Sequence, residues 1–260
     1  MLPFEWLAGG WFAAFFLAAP FTAAARVRKA GVMLACALLV LLIGLAAANS
    51  SAGVRAWLPH AYLVLGYWLP GLLVSGPSVS TPFEAWLLGS DASLRPRLPR
   101  VPALLTPVVE LAYLVCYPLV PIAFSVVWTK GDAGDVGRFW MAVLISGYTC
   151  YGSLPWLVSR PPRIAAAGPP VRAHVVADAN ALVLARVSHQ LNTFPSGHVA
   201  VSSAAAGVLL TVSLPEGIAV ALVAAAIATG AASGRYHYVI DVMLGLVVAF
   251  AALSVAVVIS

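Results

Sequence analysis

The sequence predicts an all-α fold: a polytopic membrane bundle of about eight transmembrane helices. Three observations lead there. Of the 260 residues, 62% are hydrophobic and only 9% are charged, far from the balance of a soluble globular domain. Apolar runs of about 20 residues recur along the chain, the length needed to cross a hydrocarbon core. The polar chemistry is confined to a few short stretches at the ends of those runs.

Composition also narrows the function. The formal charge of +5 rests on few residues, placed in loops. No basic patch interleaved with aromatics occurs, so no nucleic-acid partner is expected. Cys36, Cys116 and Cys150 lie in apolar runs without mutual spacing and read as buried hydrophobes, not disulfides or ligands. Glu5 precedes the first apolar run and the basic residues follow it, which is not a cleavable-signal pattern. No internal repeat or soluble domain is evident.

The first span covers about residues 4–24 and ends at the basic turn Arg26, Arg28 and Lys29. The second runs about 31–48 and stops at Asn49-Ser50-Ser51. The third, about 56–75, opens at Leu58-Pro59 and breaks near Pro70-Gly71; His60 at its start reads as a surface or interface histidine. Residues 76–102, rich in proline, do not span. Within them Phe83–Leu88 predicts a short amphipathic helix in the interface, with Glu84 and Asp91 on its solvated face. The fourth span, about 104–128, is kinked by Pro107, Pro118 and Pro121. Glu110 within it reads as a buried carboxylate bonded to a neighbouring helix. The fifth, about 138–158, ends in Ser159-Arg160-Pro161-Pro162-Arg163.

A long loop, about 159–194, has room for a helix near 177–188; His174 and His189 within it read as surface residues. The sixth span starts at Ser196 and runs to about 213. Pro215-Glu216-Gly217 predicts a tight turn. The seventh span covers about 218–233 and the eighth about 238–258. Spans six and seven are rich in Ala, Gly and Ser, which let backbones approach closely in lipid, so both are expected near the centre of the bundle.

This count has a topological consequence. The end of span five, the start of six, the end of seven and the start of eight share one side. Arg160 and Arg163, Ser196 to His198, and Arg235 to Asp241 therefore converge on one membrane surface. Pro195 and Ser196 open a helix, since Ser caps free N–H groups and Pro is tolerated near a helix start. Such a start favours an anion, because the free N–H groups and the positive dipole end point the same way. His237 and Asp241 are four apart and share a helix face.

Phosphoryl transfer needs a nucleophile, an acid for the leaving oxygen, and positive charge around the non-bridging oxygens. His237 is the candidate nucleophile, with Asp241 holding its other nitrogen. His198 is the candidate acid and base. Arg160, Arg163 and Arg235 are candidate phosphate ligands, with Ser196 and the N–H groups of Gly197 and His198 adding hydrogen bonds. Arginines and helix-start N–H groups beside the two histidines favour an anion over a metal there. Tyr236 and Tyr238 read as interface-belt aromatics.

These residues resemble the type 2 phosphatidic acid phosphatase superfamily, which includes lipid phosphate phosphatases. Its three motifs are Lys-x6-Arg-Pro, Pro-Ser-Gly-His and Ser-Arg-x5-His-x3-Asp. The second is intact as Pro195-Ser196-Gly197-His198. The third is intact in its latter half as His237-x3-Asp241. The first motif's Lys would fall at Ser153 and its Arg-Pro at Arg160-Pro161, or its arginine role would pass to Arg163; the third motif's Arg would fall at Ala231, with Arg235 as a candidate replacement. Ser-Arg-Pro-Pro-Arg and His-Tyr-x-x-Asp are also similar to the inositol-phosphotransfer branch.

The resemblance covers about residues 138–258 and implies a division into N-terminal membrane helices with an interfacial segment (1–102) and catalytic membrane helices (103–260). It implies a phosphohistidine on His237, no metal requirement and no cofactor. The expected activity is hydrolysis of a phosphomonoester or pyrophosphate of a membrane lipid. Transfer of a phospho-headgroup to an alcohol is the alternative, and a transporter or a non-catalytic binder of lipid phosphate is the alternative of another class. The expected partners are the bilayer and the lipid substrate, and the expected location is the cell membrane. All Lys and Arg except Arg55, Lys130 and Arg138 fall on the active-site side, which the positive-inside rule faces to the cytoplasm. The resemblance implies an outward or lumenal face instead.

Overall fold

The computed structural model describes residues 1–74, 81–166 and 175–259, and no strand occurs among them. In chain order the helices are α1 (Pro3–Ala18), α2 (Arg26–Asn49), α3 (Ala52–Trp57), α4 (Pro59–Leu72), α5 (Pro82–Leu94), α6 (Thr106–Lys130), α7 (Ala133–Tyr151), α8 (Pro162–Ala165), α9 (Val175–Val187), α10 (Gly197–Val212), α11 (Leu214–Ser233) and α12 (Val239–Ile259).

Each apolar run read from the sequence is helical. Among the described residues, five segments are long and apolar enough to cross a membrane: Pro3–Phe21, α2, α6, α11 and α12. α10 is apolar but has 16 residues. α7 has 19 residues and opens on Asp135 and Arg138. The predicted third span is divided where α3 meets α4 at Leu58, because Pro59 starts a new helix more readily than it continues an old one. Large apolar side chains on the outer helices, such as Leu41, Leu222, Phe250 and Val258, point away from the bundle. The chain is built as an integral membrane protein.

α10 forms the centre of the bundle, packed by α6, α7, α11 and α12. Its small residues allow this: Ala204 and Ala205 are fully buried. α12 crosses it closely at Gly245, where a Cβ would lie 2.9 Å from the carbonyl oxygen of Ser196. α11, expected to be as central as α10, instead flanks it, with Leu214, Ile218 and Leu222 facing outward. α1 and α4 pack on α7 from the other side.

The interfacial segment differs from its sequence reading. Glu84 and Asp91, expected on a solvated face, are only 2% and 6% exposed. A carboxylate is buried at such cost only when it is paired and hydrogen-bonded, and both are. Glu84 accepts the Arg160 backbone N–H at 2.8 Å and its Nη2 at 2.6 Å. Asp91 accepts Arg95 Nε at 2.7 Å and the Val239 N–H at 3.0 Å. α5 is therefore strapped across the segments that carry the predicted site.

Other side chains expected at the surface are also held inside. His60 is half-buried between Trp57, Phe124 and Trp140, with ring centroids at 5.1, 5.4 and 4.6 Å. His189 packs on Trp68, its backbone N–H donating to the Tyr67 hydroxyl at 3.1 Å, and burial lowers its pKa below the usual histidine value. His174 lies outside the described residues. Pro215-Glu216-Gly217 forms the first turn of α11 rather than a free turn, with Glu216 accepting from Ser213 and Lys130. Tyr236 and Tyr238 are buried, not belt residues: Tyr236 donates to Glu110 and Tyr238 to the Arg160 carbonyl at 3.0 Å. Glu110 is buried and also accepts Asn180 Nδ2 of α9 at 2.8 Å, as its isolated position in an apolar run suggests.

Candidate active site

The three polar segments meet at one end of the bundle. The Arg163 N–H donates to the Arg235 carbonyl at 3.1 Å, and the Ser196 N–H donates to the Asp241 carbonyl at 3.1 Å. The Asn192 N–H donates to the Ser159 carbonyl at 2.8 Å. These bonds between loops fix the α7–α8 turn, the α10 start and the α11–α12 turn as one unit.

Ser196 is the N-cap of α10, its hydroxyl accepting the Val199 N–H at 3.5 Å. Gly197 donates its N–H to Thr193 Oγ1 at 3.2 Å. His198 follows in the first turn and faces His237 edge to face, with ring centroids 5.8 Å apart and planes at 78°. His237 ends the α11–α12 turn, and its N–H donates to the Ala231 carbonyl at 3.0 Å. Arg235 sits two residues earlier in the left-handed region, at φ 57°, a conformation that favours glycine. It reverses the chain after α11, one residue beyond Gly234.

Asp241 stands behind His237. Its Oδ2 lies 3.6 Å from His237 Nδ1, an ion-pair distance longer than a hydrogen bond. The same oxygen accepts Asn192 Nδ2 at 2.8 Å and the Tyr238 N–H at 3.1 Å. The carboxylate is fully buried and fixed by two donors, and Nδ1 of His237 points to it.

Both histidines line a cavity of about 500 Å³. Its walls are mostly apolar and aromatic. α4 contributes Leu63, Val64, Tyr67 and Trp68, and α6 contributes Tyr113, Tyr117 and Val120. These positions recur at helical spacing, so each helix offers one face to the cavity. Arg163 and Arg186 add positive charge to the wall.

The three candidate arginines part company here. Arg163 lines the cavity, its guanidinium 4.3 Å above the ring of Tyr236, with no carboxylate partner among the described residues. Tyr236 stacks on Tyr113 at 4.1 Å, and Tyr113 meets His198 edge-on at 5.2 Å. Arg160 is off the wall and bonded to Glu84, whose carboxyl it holds below the usual glutamate value. Arg235 is also off the wall, with its Nε buried and unbonded. Ser153, where the resemblance would put a lysine, donates to the Cys150 carbonyl at 3.0 Å.

Sequence reasoning missed Asn192, Cys116 and Arg186. Asn192 holds Asp241, Cys116 Sγ lies 3.5 Å from His198 Nδ1, and Arg186 reaches the wall from α9. The loop helix that carries Arg186 was foreseen; the face it turns to the cavity was not.

Two imidazoles, one backed by a carboxylate, beside a guanidinium with no carboxylate partner among the described residues and a helix start form an arrangement suited to binding and transferring a phosphoryl group. No curated protein and no solved structure matches the chain. Residues 137–260 match the family model described as the PAP2 superfamily, whose members are usually phosphatases or phosphotransferases. The matched segment contains α10, α11, α12 and both motifs, and these residues form a PAP2 superfamily domain.

Proposed function

We propose that the protein hydrolyses a phosphate ester of a membrane lipid at this site. The observation that carries the reading is the facing pair His198 and His237 on the wall of an apolar cavity, with Asp241 behind one of them and Arg163 beside them. A cavity of mainly hydrocarbon and aromatic lining within the bundle suits an amphiphile whose phosphate reaches the histidines.

In this reading Nε2 of His237 attacks phosphorus and the bond to the lipid oxygen breaks. His198 gives that oxygen its proton, and the lipid leaves as an alcohol. The phosphoryl group is then on His237. His198, now neutral, takes a proton from water; the oxygen attacks phosphorus, the P–N bond breaks and phosphate leaves. Asp241 stabilises the imidazolium form of His237 as charge develops. Arg163 is the principal phosphate ligand, supported by the positive dipole end of α10; the Ser196 and Gly197 N–H groups are already given to Asp241 and Thr193. Arg160 is a strut, since its guanidinium already answers Glu84.

The test is phosphate release by the protein in lipid nanodiscs, with chelator present. Phosphatidate and polyprenyl phosphate and diphosphate are offered with and without an alcohol acceptor. Release of phosphate to water without the acceptor is expected. Release only with the acceptor, with the phosphoryl group recovered on it, would make the enzyme a transferase.

A further inference from the structure

Cys116 of α6 lies beside the reacting groups, outside the matched segment. We propose that Cys116 is a positioning residue for His198: its sulfur engages Nδ1, so that Nε2 is the nitrogen that passes protons at the phosphoryl group. The inference rests on His198 being the acid and base of the proposed reaction.

Which nitrogen of a histidine works is decided by what the other one bonds. Among the described residues, the only hydrogen-bond contact of the His198 ring is with Cys116 Sγ, 3.5 Å from Nδ1. Tyr113 and Tyr117 meet the same ring edge to face, at 5.2 and 5.7 Å. Those contacts fix the plane of the imidazole. They do not fix its sense, because a half-turn about Cβ–Cγ keeps the plane and puts a C–H where Nδ1 was. The thiol distinguishes the two poses.

Sulfur also suits the task. In both half-reactions the proton on Nδ1 stays in place, pointing at the sulfur, while Nε2 gives its proton and then takes one from water. A thiol sulfur is a weak acceptor. It orients Nδ1–H without holding the ring in its charged form, as a carboxylate would. The site thus treats its two histidines differently: Asp241 backs His237, which must carry positive charge, and a thiol backs His198, which must lose and regain it.

Cys116 lines the cavity, whereas Cys36 and Cys150 are fully buried. The protein therefore has one thiol at the site, and its role can be read in two ways. Cys116→Ala is expected to lower kcat about three- to tenfold, the worth of one modest hydrogen bond, with KM within twofold of wild type. Cys116→Ser should recover part of the loss, because its hydroxyl can accept from Nδ1. A Cys116→Ala protein with wild-type kcat would overturn the inference, as would a Cys116→Ser protein that recovers none of the loss. An inactive wild-type protein would instead remove the proposed reaction, and this inference with it.

Discussion

Asp91 accepts the backbone N–H of Val239 at 3.0 Å, across 148 residues of chain. Val239 opens α12, whose first turn carries Asp241. A carboxylate from the interfacial helix thus caps the helix that carries Asp241, where the dipole favours negative charge. Arg95, bonded to Asp91, donates to the Ala232 carbonyl at 2.6 Å, at the end of α11 where the dipole favours a cation. One ion pair closes both helix ends, and His237 lies between them.

Removing that clamp should loosen the turn. Asp91→Ala is expected to destabilise the protein by roughly 1–2 kcal/mol, the usual cost of a lost cap, and to lower turnover. Asp91→Asn should do less, since its amide oxygen still accepts from Val239. Thermal unfolding in detergent together with phosphate release measures both. Unfolding and turnover of Asp91→Ala equal to wild type would contradict the clamp.

Glu84 predicts a pH dependence. Its carboxyl is held below the usual value, first by the hydrogen bond from Arg160. A group so depressed contributes stability that is fully present above its unfolded pKa of about 4.3, and that is lost as pH falls through its folded value. Wild type should therefore melt above Glu84→Gln at pH 7, and the gap should close on acidification below about pH 4. A gap that widens in acid would contradict the pairing.

Arg163 and Arg160 should fail in different ways. Arg163→Gln removes a cavity-wall cation that has no carboxylate partner among the described residues, and is expected to lower kcat/KM by about 10²-fold or more with little change in melting temperature. Arg160→Gln leaves Glu84 buried without its partner and should act mainly through stability. The reverse pattern would exchange their roles.

The motifs of the candidate site were legible because covalent spacing alone sets their geometry. His237 and Asp241 are four apart and need only a helix to meet, and Ser196 needs only to precede one. Convergence of the three segments followed from counting alternating spans. What stayed hidden depends on partners far along the chain. Glu84 looked like a solvated residue because its cation lies 76 residues away. Asn192, in a loop, has no periodic signal, and its function appears only when Asp241 comes within 2.8 Å. Cys116 read as one more apolar residue of a span, and it is one until His198 is folded against it. Arg235 was read as a phosphate ligand from its place near His237, but its backbone reverses the chain there and its side chain stays off the cavity wall.

The central claim is that His237 carries the phosphoryl group. Ser196→Ala should only weaken turnover, whereas His237→Ala should abolish it. The most direct measurement uses 4-nitrophenyl phosphate labelled on phosphorus, whose leaving group needs no proton from His198. With His198→Ala the attack still proceeds but water is poorly activated, so label is expected to accumulate on the protein. The wild type should show a small transient amount and His237→Ala none. Label retained by His237→Ala, or phosphate release by that variant at the wild-type rate, would contradict the account.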